Sequence, residues 1–220
     1  MSEKLIQGLE KLNIEFSQQQ ISQVETYISE VLEFNKGYNL MKAENADEMA
    51  VNHILDSLVA IPHLKKIICK LQSQTNKEIL DIADIGSGGG CPGIPLAIAF
   101  PEHNFFLVER MEKRCDFLSS VIKKLNLQNV KVECKAVDTV EINSFDLEVF
   151  RAFHPFDLKI INLLFRMLRK GGYLAAYKAR EEKILAEMEE IKTMVKNYEK
   201  IKLTVPFLED HERNLVVIKK

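Results

Sequence analysis

The chain has 220 residues with 30 Lys+Arg, 32 Asp+Glu, five His, four Cys and no Trp; its formal net charge is -2 and 46% of its residues are hydrophobic. That composition excludes a disordered chain, the length suits one sizeable core, and the charge speaks against a strongly basic nucleic-acid binder. The balance is uneven. Residues 1–60 hold 4 Lys+Arg against 10 Asp+Glu, so residues 61–220 hold 26 against 22 and leave room for a local basic face.

The N-terminus MSEKLIQGLEKLN is polar and amphipathic, without the apolar stretch of a signal peptide. No apolar run approaches the ~18 residues that span a bilayer. Cys69, Cys91, Cys115 and Cys134 form no C-x-x-C pair, which argues against a zinc ribbon or a thioredoxin-type motif. Free thiols in a reducing cytosol, no metal and a cytoplasmic location are the expectation.

Residues 1–75 read as a helical extension. Leu5, Leu9 and Leu12 recur at helical spacing, and Ser17 with Gln20 makes a capping-box signature. Ile21, Val24, Ile28, Val31 and Leu32 follow on one face of that helix, with an end at Gly37. A further helical stretch holds Met49, His53, Ile54 and Leu58, and another follows Pro62. Residues 76–220 read differently, as short apolar strands at 79–85, 104–109, 129–134, 145–150 and 172–178 alternating with helices near 92–100, 112–126 and 156–169. Such alternation predicts an α/β fold with a mostly parallel sheet covered on both faces. A helix over 180–197 and strands near 200–206 and 213–219 close the chain, their short connection dictating an antiparallel hairpin.

The richest stretch runs from Asp84 to Gly93, with five glycines between positions 86 and 93. It leaves an apolar strand and opens a helix, where glycines permit close backbone approach and the helix start offers free N–H groups. A phosphate-cradling loop would need Lys-Ser/Thr after the glycines, where Cys91-Pro92-Gly93-Ile94 stands. Gly88-x-Gly90-x-x-Gly93 matches a dinucleotide loop, but a full dinucleotide fold needs a second βαβαβ half rather than a hairpin. S-adenosylmethionine is the other ligand that fits, with Asp84 ordering the loop or accepting from the ligand's amino group. Glu109, 21 residues after Gly88, can accept from both ribose hydroxyls of either ligand. Ala136-Val137 follows the third strand, a position from which backbone amides can meet an adenine edge and which an ordinary loop fits equally.

Together with Asn35-Lys-Gly-Tyr38-Asn-Leu40, His53-Ile-Leu-Asp-Ser57, Lys113-Arg114, Arg151-Ala-Phe153, Lys178 and Leu215-Val-Val-Ile-Lys219, this loop resembles the bacterial small-subunit rRNA methyltransferase G family, also called the glucose-inhibited division protein B family. The resemblance runs from about Phe34 to the C-terminus. It implies a Rossmann-like class I methyltransferase sheet and S-adenosylmethionine-dependent methylation of N7 of guanine 527, in the 530 loop of 16S rRNA. It further implies cofactor contacts from Gly86, Cys91, Ala136, Val137 and Arg151, with Glu109 on the ribose and the Asp84–Gly88 segment forming the loop. Departures are Glu109 where Asp is usual, Met41 for Thr, Asn52 for Arg and Ala179 for Gly.

Guanine N7 carries an in-plane lone pair and no proton, so its methylation needs no general base. Proximity and alignment can supply about 7–11 kcal/mol. Arg151, Lys178 and His53 are the expected catalytic-site residues: Arg151 for guanine O6, the cofactor carboxylate or a phosphate, and Lys178 for substrate or phosphate. Phe153 fits a base-stacking or a core role equally. Lys113, Arg114, Lys123 and Lys124 suit a solvated helix face. The expected partner is 16S rRNA within a 30S particle, met by a monomer without membrane attachment. The rival readings are an NAD-dependent oxidoreductase and a non-catalytic nucleotide- or RNA-binding protein of the same fold.

Overall fold

A computed structural model describes residues 2–220. Helix α1 (Glu3–Lys11) starts where Ser2 Oγ accepts from Leu5 N, and it buries Leu5 and Leu9. Helix α2 (Gln18–Asn35) starts at the expected capping box, with Ser17 and Gln20 each bonding the other's backbone N–H. Its buried face is Val24, Tyr27, Ile28 and Val31. Gln20 Nε2 donates to Ile98 O and Gln23 Nε2 to Leu125 O, both at 2.8 Å, which ties α2 to the layer beneath. The helix ends before Gly37, at a right-handed Lys36. The chain reverses instead around Asn35, whose side chain accepts from Leu40 N and Met41 N and donates to Met41 O. No left-handed glycine is needed when a side-chain amide ties the turn together.

The helical stretch around His53 is three segments in one: α3 (Ala46–Met49), a π-helical turn (Ala50–Leu55) and α4 (Asp56–Leu58). Such turns often lie at functional sites. Helix α5 (Ile61–Thr75) carries Pro62 in its first turn, where no backbone N–H is missed.

The sheet follows as β1 (Asp81–Ile85), α6 (Gly93–Ala99), β2 (Asn104–Glu109), α7 (Glu112–Lys124), β3 (Val130–Cys134), β4 (Phe145–Arg151), α8 (Leu158–Met167), β5 (Leu168–Lys178), α9 (Glu181–Glu190), β6 (Glu199–Leu203) and β7 (Arg213–Lys219). Its order is β3-β2-β1-β4-β5-β7-β6. Strands β1 to β5 are parallel, and β7 runs antiparallel to both β5 and β6. One face is covered by the N-terminal helices with α6 and α7, the other by α8 and α9. Cover on both sides buries β1 and β4 almost throughout, acidic residues Asp84, Asp146 and Glu148 included. No helix is long and apolar enough to cross a membrane among the described residues.

Three expectations need correction. Strand β5 begins at Leu168, not 172, because Leu168 already pairs with Phe145 before a register shift that passes through Gly171. Helix α9 stops at Glu190; Ile191 and Val195 keep a helical spacing in sequence but turn into the core from a non-helical turn. Cys115 and Cys134 are not free thiols: they form a disulfide between α7 and β3, Cα atoms 5.7 Å apart, and only Cys69 and Cys91 are free. Nineteen residues separate the pair, so the partnership comes from the packing of α7 on β3 and carries no local motif.

Candidate active site

The strand order reverses between β1 and β4, and ligands of open α/β sheets bind outside the carboxyl ends of the strands at such a point. Both halves of the site meet there. On the β1 side the chain turns through Gly86, φ +71°, and Gly88, φ +57°, conformations that favour glycine. A Cβ on Gly86 would lie 2.5 Å from the Phe153 ring, whereas one on Gly88 would meet nothing nearer than 3.9 Å. The loop is thus closed on one side and open at its tip.

Asp84 and Glu109 both serve this loop. Asp84, 1% exposed, accepts from Gly93 N at 2.9 Å and so holds the start of α6; its other oxygen, Oδ1, has no partner. Burial pushes its carboxyl up to about 7, against the opposing pull of the Gly93 N–H. Glu109 Oε2 accepts from Gly88 N and Oε1 from the N–H groups of Arg110 and Met111, all at 2.9 Å, with Arg114 3.6 Å away. The carboxylate is fixed at the open tip of the loop, and Oε2 retains lone-pair capacity for a further donor.

The loop is buttressed from below by the N-terminal helices. Tyr27 on α2, fully buried, donates to Gly89 O at 2.7 Å, and its Oη lies 3.3 Å from Cys91 Sγ. Met41 packs against Gly89, which accounts for a methionine at that position. The Cys91 thiol is buried against Tyr27, so a cofactor contact at Cys91 would come from its main chain. Tyr27→Phe should leave Gly89 O without its side-chain donor, at a cost of about 1–3 kcal/mol. The expected outcome is weaker S-adenosylhomocysteine binding by calorimetry and faster hydrogen exchange at Gly88–Gly90 in the ligand-free protein. Wild-type values of both would remove Tyr27 from loop positioning.

On the β4 side, Arg151 is the last residue of its strand rather than lying beyond it. Ala152 adopts φ +53°, which turns the chain so that Phe153 lands on Gly86. A cleft of about 830 Å³ opens here, lined by Arg151, Phe153, Tyr177 and Lys178 with His53 and Asp56 from the π/α4 stretch. The three expected catalytic-site residues are thus gathered in one cleft. The glycine loop, Glu109 and the Ala136–Val137 turn lie at the carboxyl ends of β1, β2 and β3, outside the cleft lining, with Phe153 shared between the two halves.

Within the cleft, Arg151 donates from NH1 to Asn52 O (3.0 Å) and Asp56 Oδ2 (2.6 Å), and from NH2 to His53 Nδ1 (2.8 Å). Guanidinium can only donate, so Nδ1 is the acceptor and His53 Nε2–H donates to Lys42 O at 3.0 Å. Burial, and then the Arg151 charge, hold His53 below the usual imidazole value. With Nδ1 accepting from Arg151 and Nε2–H donating to Lys42 O, both ring nitrogens of a neutral His53 are occupied by protein partners. Asp56 Oδ1 accepts from Arg213 Nε at 2.8 Å, a buried carboxylate bridging two arginines. Lys178 is pinned by Glu187 at 2.6 Å and lies 4.1 Å over the Phe156 ring.

Asp56 and Arg213 were not among the expected site residues. The His53–Asp56 spacing of one helical turn, with a carboxylate inside an apolar run, was the available signal for the first; Arg213 stands 157 residues from its partner and offers none.

This strand order, glycine loop, strand-end carboxylate and adjoining cationic cleft are those of a Rossmann-like, S-adenosylmethionine-dependent methyltransferase. The model of the family described as rRNA small subunit methyltransferase G matches residues 20–216. The chain belongs to that family. It is 36% identical to the Treponema denticola Ribosomal RNA small subunit methyltransferase G over 98% of this chain and 93% of the relative, and 34% identical to the Francisella tularensis subsp. tularensis protein of the same name over 100% and 98%. The fold is also that of the tRNA (m1A58) methyltransferase TrmI from Aquifex aeolicus, with a TM-score of 0.56, 18% identity, and coverage of 90% of this chain and 75% of that one.

Proposed function

We propose that this chain transfers a methyl group from S-adenosylmethionine to N7 of guanine 527 in 16S rRNA, acting as a cytoplasmic monomer on the RNA within a 30S particle. The observation that carries the reading is the junction at Phe153, which packs on Gly86 of the cofactor loop and lines the cationic cleft, so that two ligands would meet across one ring. S-adenosylmethionine supplies an electrophilic methyl on a sulfonium. Glu109 Oε2 and the open Gly88 tip suit its ribose, Asp84 holds the loop, and the Ala136–Val137 turn stands at the neighbouring strand end for the adenine.

The protein's own share is positioning. Arg151 has three N–H bonds committed to Asn52, Asp56 and His53, leaving Nε–H and one NH2 hydrogen without a protein partner among the described residues. Those two donors suit guanine O6, which draws the base edge into register while leaving N7 free. Lys178, held by Glu187, suits a phosphate at the cleft wall. No residue need accept a proton from N7, and the one histidine beside Arg151 has no free lone pair, in keeping with catalysis by alignment.

Labelled cofactor offered to undermethylated 30S particles and to naked 16S rRNA, followed by chemical cleavage at N7-methylguanine, should place label at one guanine. Failure to modify either substrate would overturn the target. Tight NAD binding without S-adenosylhomocysteine binding would instead favour the oxidoreductase reading.

A further inference from the structure

We infer that the mouth of the cleft is a clamp for the phosphodiester backbone flanking the target nucleotide, built from Lys42, Arg180 and Lys183; this rests on the reading that RNA is the substrate. The cleft lining contains six Lys/Arg side chains and three carboxylates, in a protein whose overall charge is -2. The three carboxylates are all engaged. Asp56 is held by Arg151 and Arg213, Glu187 by Lys178, and Glu48 by Glu44 N and the Asn45 side chain. Three cations are therefore consumed by structural pairs. The other three, Lys42, Arg180 and Lys183, are exposed and make no ion pair among the described residues.

Their placement follows from the fold. Lys42 follows Met41, which packs with the N-terminal helices on one face of the sheet, and its carbonyl is the acceptor for His53. Arg180 and Lys183 stand at the start of α9, whose Ile184 and Met188 pack on the opposite face. The free cations thus come from both layers and bracket the edge at which Arg151 and Lys178 end β4 and β5. Cations on both sides of a slot suit a polyanion that passes through it, with one base entering between Arg151 and Phe153. Uncompensated charge at the mouth and compensated charge on the floor also divide the work: the mouth attracts phosphate without sequence information, and the floor orients the base.

The test is the triple variant Lys42→Gln, Arg180→Gln, Lys183→Gln, compared with a control triple, Lys65→Gln, Lys66→Gln, Lys123→Gln, that removes the same charge elsewhere. With undermethylated 30S particles as substrate, the clamp variant should raise KM about tenfold or more, while kcat and the S-adenosylhomocysteine Kd stay within about twofold; the control should match wild type. Removing three phosphate contacts should also lower the slope of log affinity against log salt for 16S rRNA by about 2, since each cation on a single strand contributes about 0.7. An unchanged KM and slope, or an equal loss in the control, would overturn the clamp while leaving the substrate reading intact. No methyl transfer by the unsubstituted enzyme would overturn the RNA assignment and the clamp with it.

Discussion

Asp56→Ala is expected to cost about 3–5 kcal/mol of stability, because removing one partner of a buried ion pair leaves uncompensated charge behind. Asp56 is 3% exposed and serves two guanidiniums at once, Arg151 through Oδ2 and Arg213 through Oδ1. The alanine variant leaves Arg151 with a main-chain carbonyl and a neutral imidazole as its partners, and takes from Arg213 the carboxylate it pairs with among the described residues. Methyl transfer should fall with it even at temperatures where the variant is folded, since the orientation of Arg151 depends on that carboxylate. Asp56→Asn keeps the shape but substitutes an amide for the charge, so its loss should lie between wild type and alanine. Urea denaturation reads this as a lowered midpoint at constant slope. A loss under about 1 kcal/mol would show that water or local rearrangement replaces the carboxylate, and that the bridge is not what holds Arg151.

The dependence of Arg151 on Asp56 also marks where sequence reasoning stopped. The strand–helix alternation from residue 81 onward, the antiparallel hairpin and the capping box at Ser17 were legible because each rests on local periodicity or local turn chemistry. Asp84, Gly86, Gly88 and Glu109 were legible because a glycine loop and a strand-end carboxylate carry their geometry in their spacing. Arg151, Lys178 and His53 could be expected near one another from the resemblance, but not their partners. Lys178–Glu187 spans nine residues between β5 and the helix that follows it, whereas the Asp56 bridge to Arg151 and Arg213 and the Tyr27–Gly89 bond under the glycine loop join elements brought together only by the completed sheet. The Cys115–Cys134 pair is another contact of that kind, formed by a helix lying on an edge strand.

Local misreadings had a different cause. Ile191 and Val195 extend the apolar spacing of α9, and periodicity alone cannot tell a helix from a turn that buries the same two side chains. Asn35 replaced Gly37 as the turn-maker because a side-chain amide can bond two backbone N–H groups where a glycine can only bend.

Glu148 shows the converse, a residue that breaks the pattern without a site to justify it, and its replacement should stabilise the protein. It sits mid-way along β4, in register between Ala83 and Leu174, 0% exposed, with neither carboxyl oxygen partnered. Burial pushes its carboxyl well above the ordinary value of 4.5, only partly opposed by the Lys220 charge. For an acid whose folded value is raised, the favourable contribution is fully present below the unfolded value and is lost as pH rises towards the folded one. Between those limits stability falls by about 1.4 kcal/mol per pH unit. Glu148→Met removes both the titration and the unsatisfied oxygens at similar volume; it should gain about 1–3 kcal/mol from the oxygens alone, and more as pH rises. Glu148→Gln removes the titration but keeps a buried polar group without partners, so it should flatten the pH dependence and recover only part of the gain. Urea midpoints at pH 5, 6 and 7 separate the cases: the difference between Glu148→Met and wild type should widen with pH. A methionine variant that is less stable than wild type at pH 7, or that runs parallel to it across the series, would mean that Glu148 has found a partner that lets it stay charged inside the sheet.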